Sequence, residues 1–172
     1  GLIFYSLLKS LYDYKVNNNL VKISNLLLIL FIFIFFQIIY GAFVSGTDSG
    51  LLYNTWPFYD GNAVPENLFI KNEYFYNFFE NGDFIVFFHR TFAFILLIII
   101  IYLNFLTLNK YSSRETLILI ISFDIIFLIQ GGIGVQMTFL NIPWYLALAH
   151  QGNSIILFLF SIYMWKLSRK PS

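Results

Sequence analysis

The sequence has no cysteine. Disulfides, thiolate metal ligands and thiol nucleophiles are therefore excluded within the chain. Charge is scarce as well, at 11% of residues with a net charge of +1. A soluble domain carries about 25% charged residues, so most of this chain does not face water. Without a polybasic face, no nucleic-acid partner is expected. Histidine occurs only twice, at positions 89 and 150, so any imidazole chemistry must use His89 and His150. The chain starts with Gly rather than Met, shows no secretory signal, and its first residues read as the end of something larger. What it does have is apolar surface. Hydrophobic residues make up 59% of the chain, and they lie in long unbroken runs, which is the signature of an integral membrane protein.

A spanning helix needs about 20 apolar residues, and four segments supply them, at about 23–44, 84–108, 116–136 and 145–167. The expected fold class is an all-α, four-transmembrane-helix bundle. The domain reading is an inner linker with the end of a preceding helix over 1–22, then a four-helix membrane domain over 23–170. Residues 1–11 resemble the closing turns of an earlier spanning helix. Orientation follows from Lys and Arg, which collect on the inner side. Lys9, Lys15 and Lys22 precede the first span, Lys110 and Arg114 separate the second from the third, and Lys166, Arg169 and Lys170 follow the fourth. The opposite side holds Lys71, Arg90 and six acids: Asp48, Asp60, Glu66, Glu73, Glu80 and Asp83. The loop over 45–83 is then outside. It is too long for a bare connector and is expected to fold as a cap, with Tyr53, Trp56, Phe58 and Tyr59 at headgroup level.

The spans form two similar pairs. Gln37 and Gly41 lie near the outer end of the first span, Gln130 and Gly134 near that of the third. Each is followed by an outer connection and a helix carrying a His about five residues in, His89-Arg90 and then His150-Gln151. Gln37 and Gln130 are polar at lipid depth and must find partners inside the bundle. Each His is about 7–8 Å below the outer end at a 1.5 Å rise per residue. The two imidazoles share one level on parallel helices. That arrangement suits haem iron with an axial ligand on each face. A bland role as hydrogen-bonding bundle residues stays open. Zinc fits less well, because it usually takes three or four protein ligands.

Other polar residues have two readings each. Arg90 suits a haem propionate or a bridge to Glu80 or Asp83. Glu80 is either an acid approaching the site or a solvated loop residue. Asp124 lies near the middle of the third span, where ionisation is costly. It is read as structural, with a protonated state, a Gln or Ser122 partner, or a proton path as alternatives. Gly131, Gly132 and Gly134 sit inside an apolar helix and read as packing residues.

Taken together, these segments resemble one known family. Gln37-Ile-Ile-Tyr-Gly-Ala-Phe-Val-Ser-Gly-Thr-Asp-Ser-Gly50, then Tyr53-Asn-Thr-Trp-Pro57 and Asp60-Gly61, are similar to the first-helix signature in the carboxy-terminal half of the haem A synthases. Asn77-Phe-Phe-Glu-Asn81 with His89-Arg90, Gln130-Gly-Gly-Ile-Gly134, Pro143 and Ala149-His150-Gln151 continue the match. The resemblance implies half of an eight-helix, pseudo-symmetric enzyme of respiratory membranes, bacterial or mitochondrial inner. It implies oxidation of a haem O ring methyl to the formyl of haem A by successive hydroxylations, with oxygen from water. This half would hold a haem b cofactor through His89 and His150, with Arg90, Gln37 and Gln130 as further contacts and the histidine end facing outward. The implied partners are haem O, the amino-terminal half, haem O synthase and the lipid membrane. Glu80 is the acid matching the family's catalytic acid by pattern. The family often has a polar residue three positions before this His, and here it is Val86. Two rivals stay open: an electron-carrying cytochrome b without substrate chemistry, and a transporter or assembly scaffold with structural histidines.

Overall fold

A computed structural model describes residues 17–70, 74–110 and 113–169. The expected closing turns over 1–11 lie outside the described residues. A short helix α1 (Asn18–Lys22) leads into α2 (Ser24–Gly46). The outer segment holds a 3-10 turn (Ser49–Leu51) and the short α3 (Tyr74–Phe79). Three long helices follow: α4 (Gly82–Lys110), α5 (Arg114–Phe139) and α6 (Trp144–Leu167). Among the described residues, β structure is limited to one bridge between Tyr59 and Asn62. Helices α2, α4, α5 and α6 are each long and apolar enough to cross a membrane. The chain is an all-α membrane protein.

The helices run somewhat past the apolar stretches because capping, not side-chain hydropathy, sets their ends. Ser113 accepts the Thr116 N–H at 3.3 Å and so starts α5 ahead of Thr116. Lys110 closes α4, where a cation complements the helix dipole.

Packing joins α2 to α4, α4 to α5, α5 to α6 and α6 to α2. These four pairs close a ring, so the two histidine helices, α4 and α6, stand diagonally across the bundle. The apolar core lies in the inner half, with Leu27, Leu30 and Ile34 of α2, Leu96, Ile100 and Leu103 of α4, Ile120 and Phe123 of α5, and Leu157 and Met164 of α6. Burial stops at Ile34, Phe123 and Leu157 on the way outward along α2, α5 and α6. On α4 it stops at Leu96 and resumes only at Val86, beneath the cap. Polar ties hold the inner ends together: Asn17 N–H donates to Leu167 O at 3.1 Å, and Ser168 Oγ donates to Ser24 Oγ at 2.9 Å.

The outer segment is latched by two asparagines. Asn77 accepts from Ile70 N and donates to Ile70 O, both at 2.9 Å. Asn81 donates to Asn67 O at 3.0 Å and to Asn77 Oδ1 at 2.9 Å, while its own Oδ1 accepts from Asp83 N and Phe84 N, capping α4. Both are buried. Tyr53 donates to Asp83 at 2.8 Å. Burial first, then the Asp83 hydrogen bond and charge, push the Tyr53 hydroxyl well above its ordinary range, so it remains a donor. Replacing Asn81 by Ala removes a cap and a buried donor set. We expect a loss of about 1–3 kcal/mol, read as faster proteolysis over 47–81 with helix content by circular dichroism unchanged.

Candidate functional site

Gln37 and Gly41 are one helical turn apart and share a face of α2, as Gln130 and Gly134 do on α5. The structure seats a histidine on each of these faces. Gln37 Nε2 lies 3.2 Å from Nδ1 and 3.3 Å from Nε2 of His89. Gln130 Nε2 lies 3.1 Å from His150 Nε2. The glycines make room for the rings. A Cβ on Gly41 would sit 3.3 Å from His89 Cε1, and one on Gly134 would sit 3.0 Å from His150 Cε1. Each pair of helices therefore builds the same unit, an imidazole over a glycine notch with a glutamine amide on its edge. Both glutamines are expected to find partners inside the bundle, and the amide nitrogen of each meets a histidine ring.

The two units stand on diagonal helices of the bundle, His89 on α4 and His150 on α6. His89, His150, Gln37 and Gln130 are all half-buried, in the layer where the apolar core has ended. His150 Nδ1 and Gln37 Oε1 are buried without a hydrogen-bond partner. Two imidazoles on helices of one bundle, in the layer where the apolar core has ended, fit the needs of a flat, iron-bearing macrocycle. Among the described residues, no group of three or more His, Cys, Asp or Glu is placed to hold a bare metal ion.

Arg90 does not bridge to Glu80 or Asp83. Its guanidinium donates to Thr55 O at 3.0 Å, Phe58 O at 3.3 Å and Tyr53 O at 3.3 Å, and it lies 4.8 Å from the Tyr59 ring centroid. It thus ties the cap to the helix turn that carries His89. Glu80 is exposed just beyond α3. Among the described residues, no hydrogen bond joins its carboxylate to either histidine. Asp124 is half-buried, with the Asn104 side chain of α4 as its polar neighbour rather than a Gln or Ser122, and with one buried oxygen unpartnered.

The family model described as cytochrome oxidase assembly protein matches residues 1–162 of the chain. The chain belongs to this family. Among its curated relatives, the heme A synthase of Wolbachia pipientis wMel is 39% identical over 144 residues, which is 84% of this chain and 39% of that protein. The heme A synthase of Wolbachia from Culex pipiens is 35% identical over 175 residues, 98% of this chain and 51% of that protein. That of Rhizobium rhizogenes is 36% identical over 135 residues, 76% and 36% respectively. The chain spans about half or less of the length of these relatives. No solved structure matches significantly. The duplicated Gln–Gly–His unit is therefore found in a cytochrome oxidase assembly family.

Reading the sequence missed Asn153, which donates to Ile126 O at 3.1 Å and to Gln130 Oε1 at 2.9 Å. Its signal was present, because it stands three residues after His150 and so shares that helix face. It also missed the structural work of Asn77 and Asn81, whose i, i+4 spacing just before a helix start was the available sign.

Proposed function

We propose that this chain is the carboxy-terminal half of a haem A synthase, and that His89 and His150 would hold a haem b cofactor by its iron. The observation that carries the reading is the repeated unit: two imidazoles, each over a glycine and edged by a glutamine, on diagonal helices of one bundle. Membership of a cytochrome oxidase assembly family supports it.

Haem b, when bound, would supply a one-electron acceptor whose potential its protein ligands tune. The chain's residues do the holding. Gly41 and Gly134 let the rings pack close to the backbone of α2 and α5. The Gln37 and Gln130 amides restrain the rings in the haem-free chain. Arg90 anchors the cap beside His89 and retains guanidinium donors for a propionate. The substrate is haem O, whose ring methyl is oxidised to a formyl group by successive hydroxylations in the amino-terminal half, with oxygen from water. Haem O synthase is the partner that supplies it. The excess of Lys and Arg at the other end supports a reading with the histidines on the outer side of a bacterial or mitochondrial inner membrane.

The test is a pair of measurements on purified full-length protein: oxidised and reduced visible spectra, and pigment extraction after incubation with haem O. A low-spin haem b spectrum together with newly formed haem A is the expected result. Haem b without conversion favours the electron-carrying cytochrome. Folded protein that takes up no haem removes the reading in favour of a transporter or scaffold.

A further inference from the structure

The two histidine units are not equivalent, and the difference is Asn153. Its side-chain amide crosses from α6 to α5 and makes two contacts, to Ile126 O and Gln130 Oε1. A backbone carbonyl oxygen can only accept, so the Asn153 atom facing Ile126 is the NH2 group. That same group faces Gln130, which must therefore present its oxygen. The remaining Gln130 atom is its NH2, and it points at His150 Nε2 at 3.1 Å. Two donors cannot share a hydrogen bond, so Nε2 accepts and a neutral ring carries its proton on Nδ1. One unambiguous acceptor, the Ile126 carbonyl, thus fixes every atom along the chain.

His89 has no such chain. The residue three positions after it is Phe92, which is apolar and packs edge-on against Tyr40 and Phe33. The Gln37 oxygen is buried without a partner, and its nitrogen is almost equidistant from both ring nitrogens of His89. Nothing in this arrangement selects one orientation of Gln37 or one form of His89.

We propose that Asn153 is a positioning residue which, acting through Gln130, fixes His150 as the Nδ1–H tautomer with its lone pair on Nε2. The tautomer follows from the hydrogen bonds alone. On the haem reading above, Nε2 is the nitrogen kept unprotonated for a metal, and the Gln130 amide that caps its lone pair would have to give way when the cofactor binds. Asn153 and Gln130 would then fix the form of one ring while His89 adapts.

The experiment is ring-nitrogen NMR of isotope-labelled histidine in haem-free, full-length protein in detergent, with signals assigned by His89→Gln and His150→Gln. His150 is expected to show one proton-bearing and one lone-pair nitrogen, whereas His89 shows averaged signals. Asn153→Leu should collapse the His150 pair towards the average and leave His89 unmoved, which also reports an intact fold. In a Gln130→Leu background, Asn153→Leu should have no further effect, because coupled residues are not additive. Gln130→Glu keeps the side-chain shape but cannot donate when ionised, and should move the His150 proton to Nε2. A wild-type His150 already averaged, or signals that Asn153→Leu and Gln130→Glu leave in place, would overturn the proposal. Protein that shows the fixed tautomer but never takes up haem would end the haem reading and leave this one standing.

Discussion

His150→Ala and His89→Ala are each expected to strip the protein of haem, lowering its affinity by more than about 100-fold. Loss of a residue that merely orients a metal ligand costs about 10–100-fold, and these changes remove the ligand itself. Each ring is held on its own helix pair, His89 by Gln37 of α2 and His150 by Gln130 of α5. Neither can be replaced by a neighbour, because the chain has only two histidines. Both variants should fold, since the buried core lies in the inner half of the bundle, away from the histidine layer. Reduced-minus-oxidised spectra at equal protein concentration, beside circular dichroism, read the effect. Wild-type haem content in either variant would mean that the ring in question is a packing residue.

Substitution of the glycines should divide sharply by position. Gly134→Val places branched methyls where a single Cβ would already lie 3.0 Å from His150 Cε1. Either the ring leaves its seat against Gln130 or α5 and α6 part. Overpacking of this kind costs about 1–3 kcal/mol, and the haem spectrum should broaden or vanish. Gly41→Val should act in the same way on His89, from a Cβ distance of 3.3 Å. Gly131→Ala and Gly132→Ala meet nothing within 4 Å in this chain, and should keep the spectrum with stability changed by less than about 1 kcal/mol. Thermal melts followed at the haem band separate the two classes. Equal damage from all four would show that the glycines serve general helix packing rather than the histidine seats.

These glycines also show where the sequence stopped being informative. Gly131, Gly132 and Gly134 all read as packing residues in one apolar helix, although the repeat with Gly41 singles out Gly134. Only the crossing of α5 and α6 puts an imidazole against one of them and leaves the other two open. Arg90 is similar. Its neighbours in sequence suggested Glu80 or Asp83 as partners, yet its donors go to three carbonyls of residues 53–58. Backbone carbonyls carry no mark in a sequence, so a cation that seeks them cannot be traced to them. Glu80, matched by pattern to an acid, stands exposed outside α3, and the neighbouring asparagines do the structural work.

The sequence alone determined the class of the molecule. Four long apolar runs in a chain with little charge permit only helices across a lipid layer, because every backbone group must be satisfied within its own segment. It also determined that two Gln–Gly faces and two histidines recur in the same order, since a repeat is a property of spacing. Which face meets which ring was decided by tertiary structure. The closed ring of α2, α4, α5 and α6 sets the diagonal placement of the histidines, and the reach of Asn153 from α6 to Ile126 and Gln130 makes one of the two units different from the other. Helix period fixes what lies on one surface of one helix. The contact between two surfaces depends on how the helices cross, which is a property of the packed bundle.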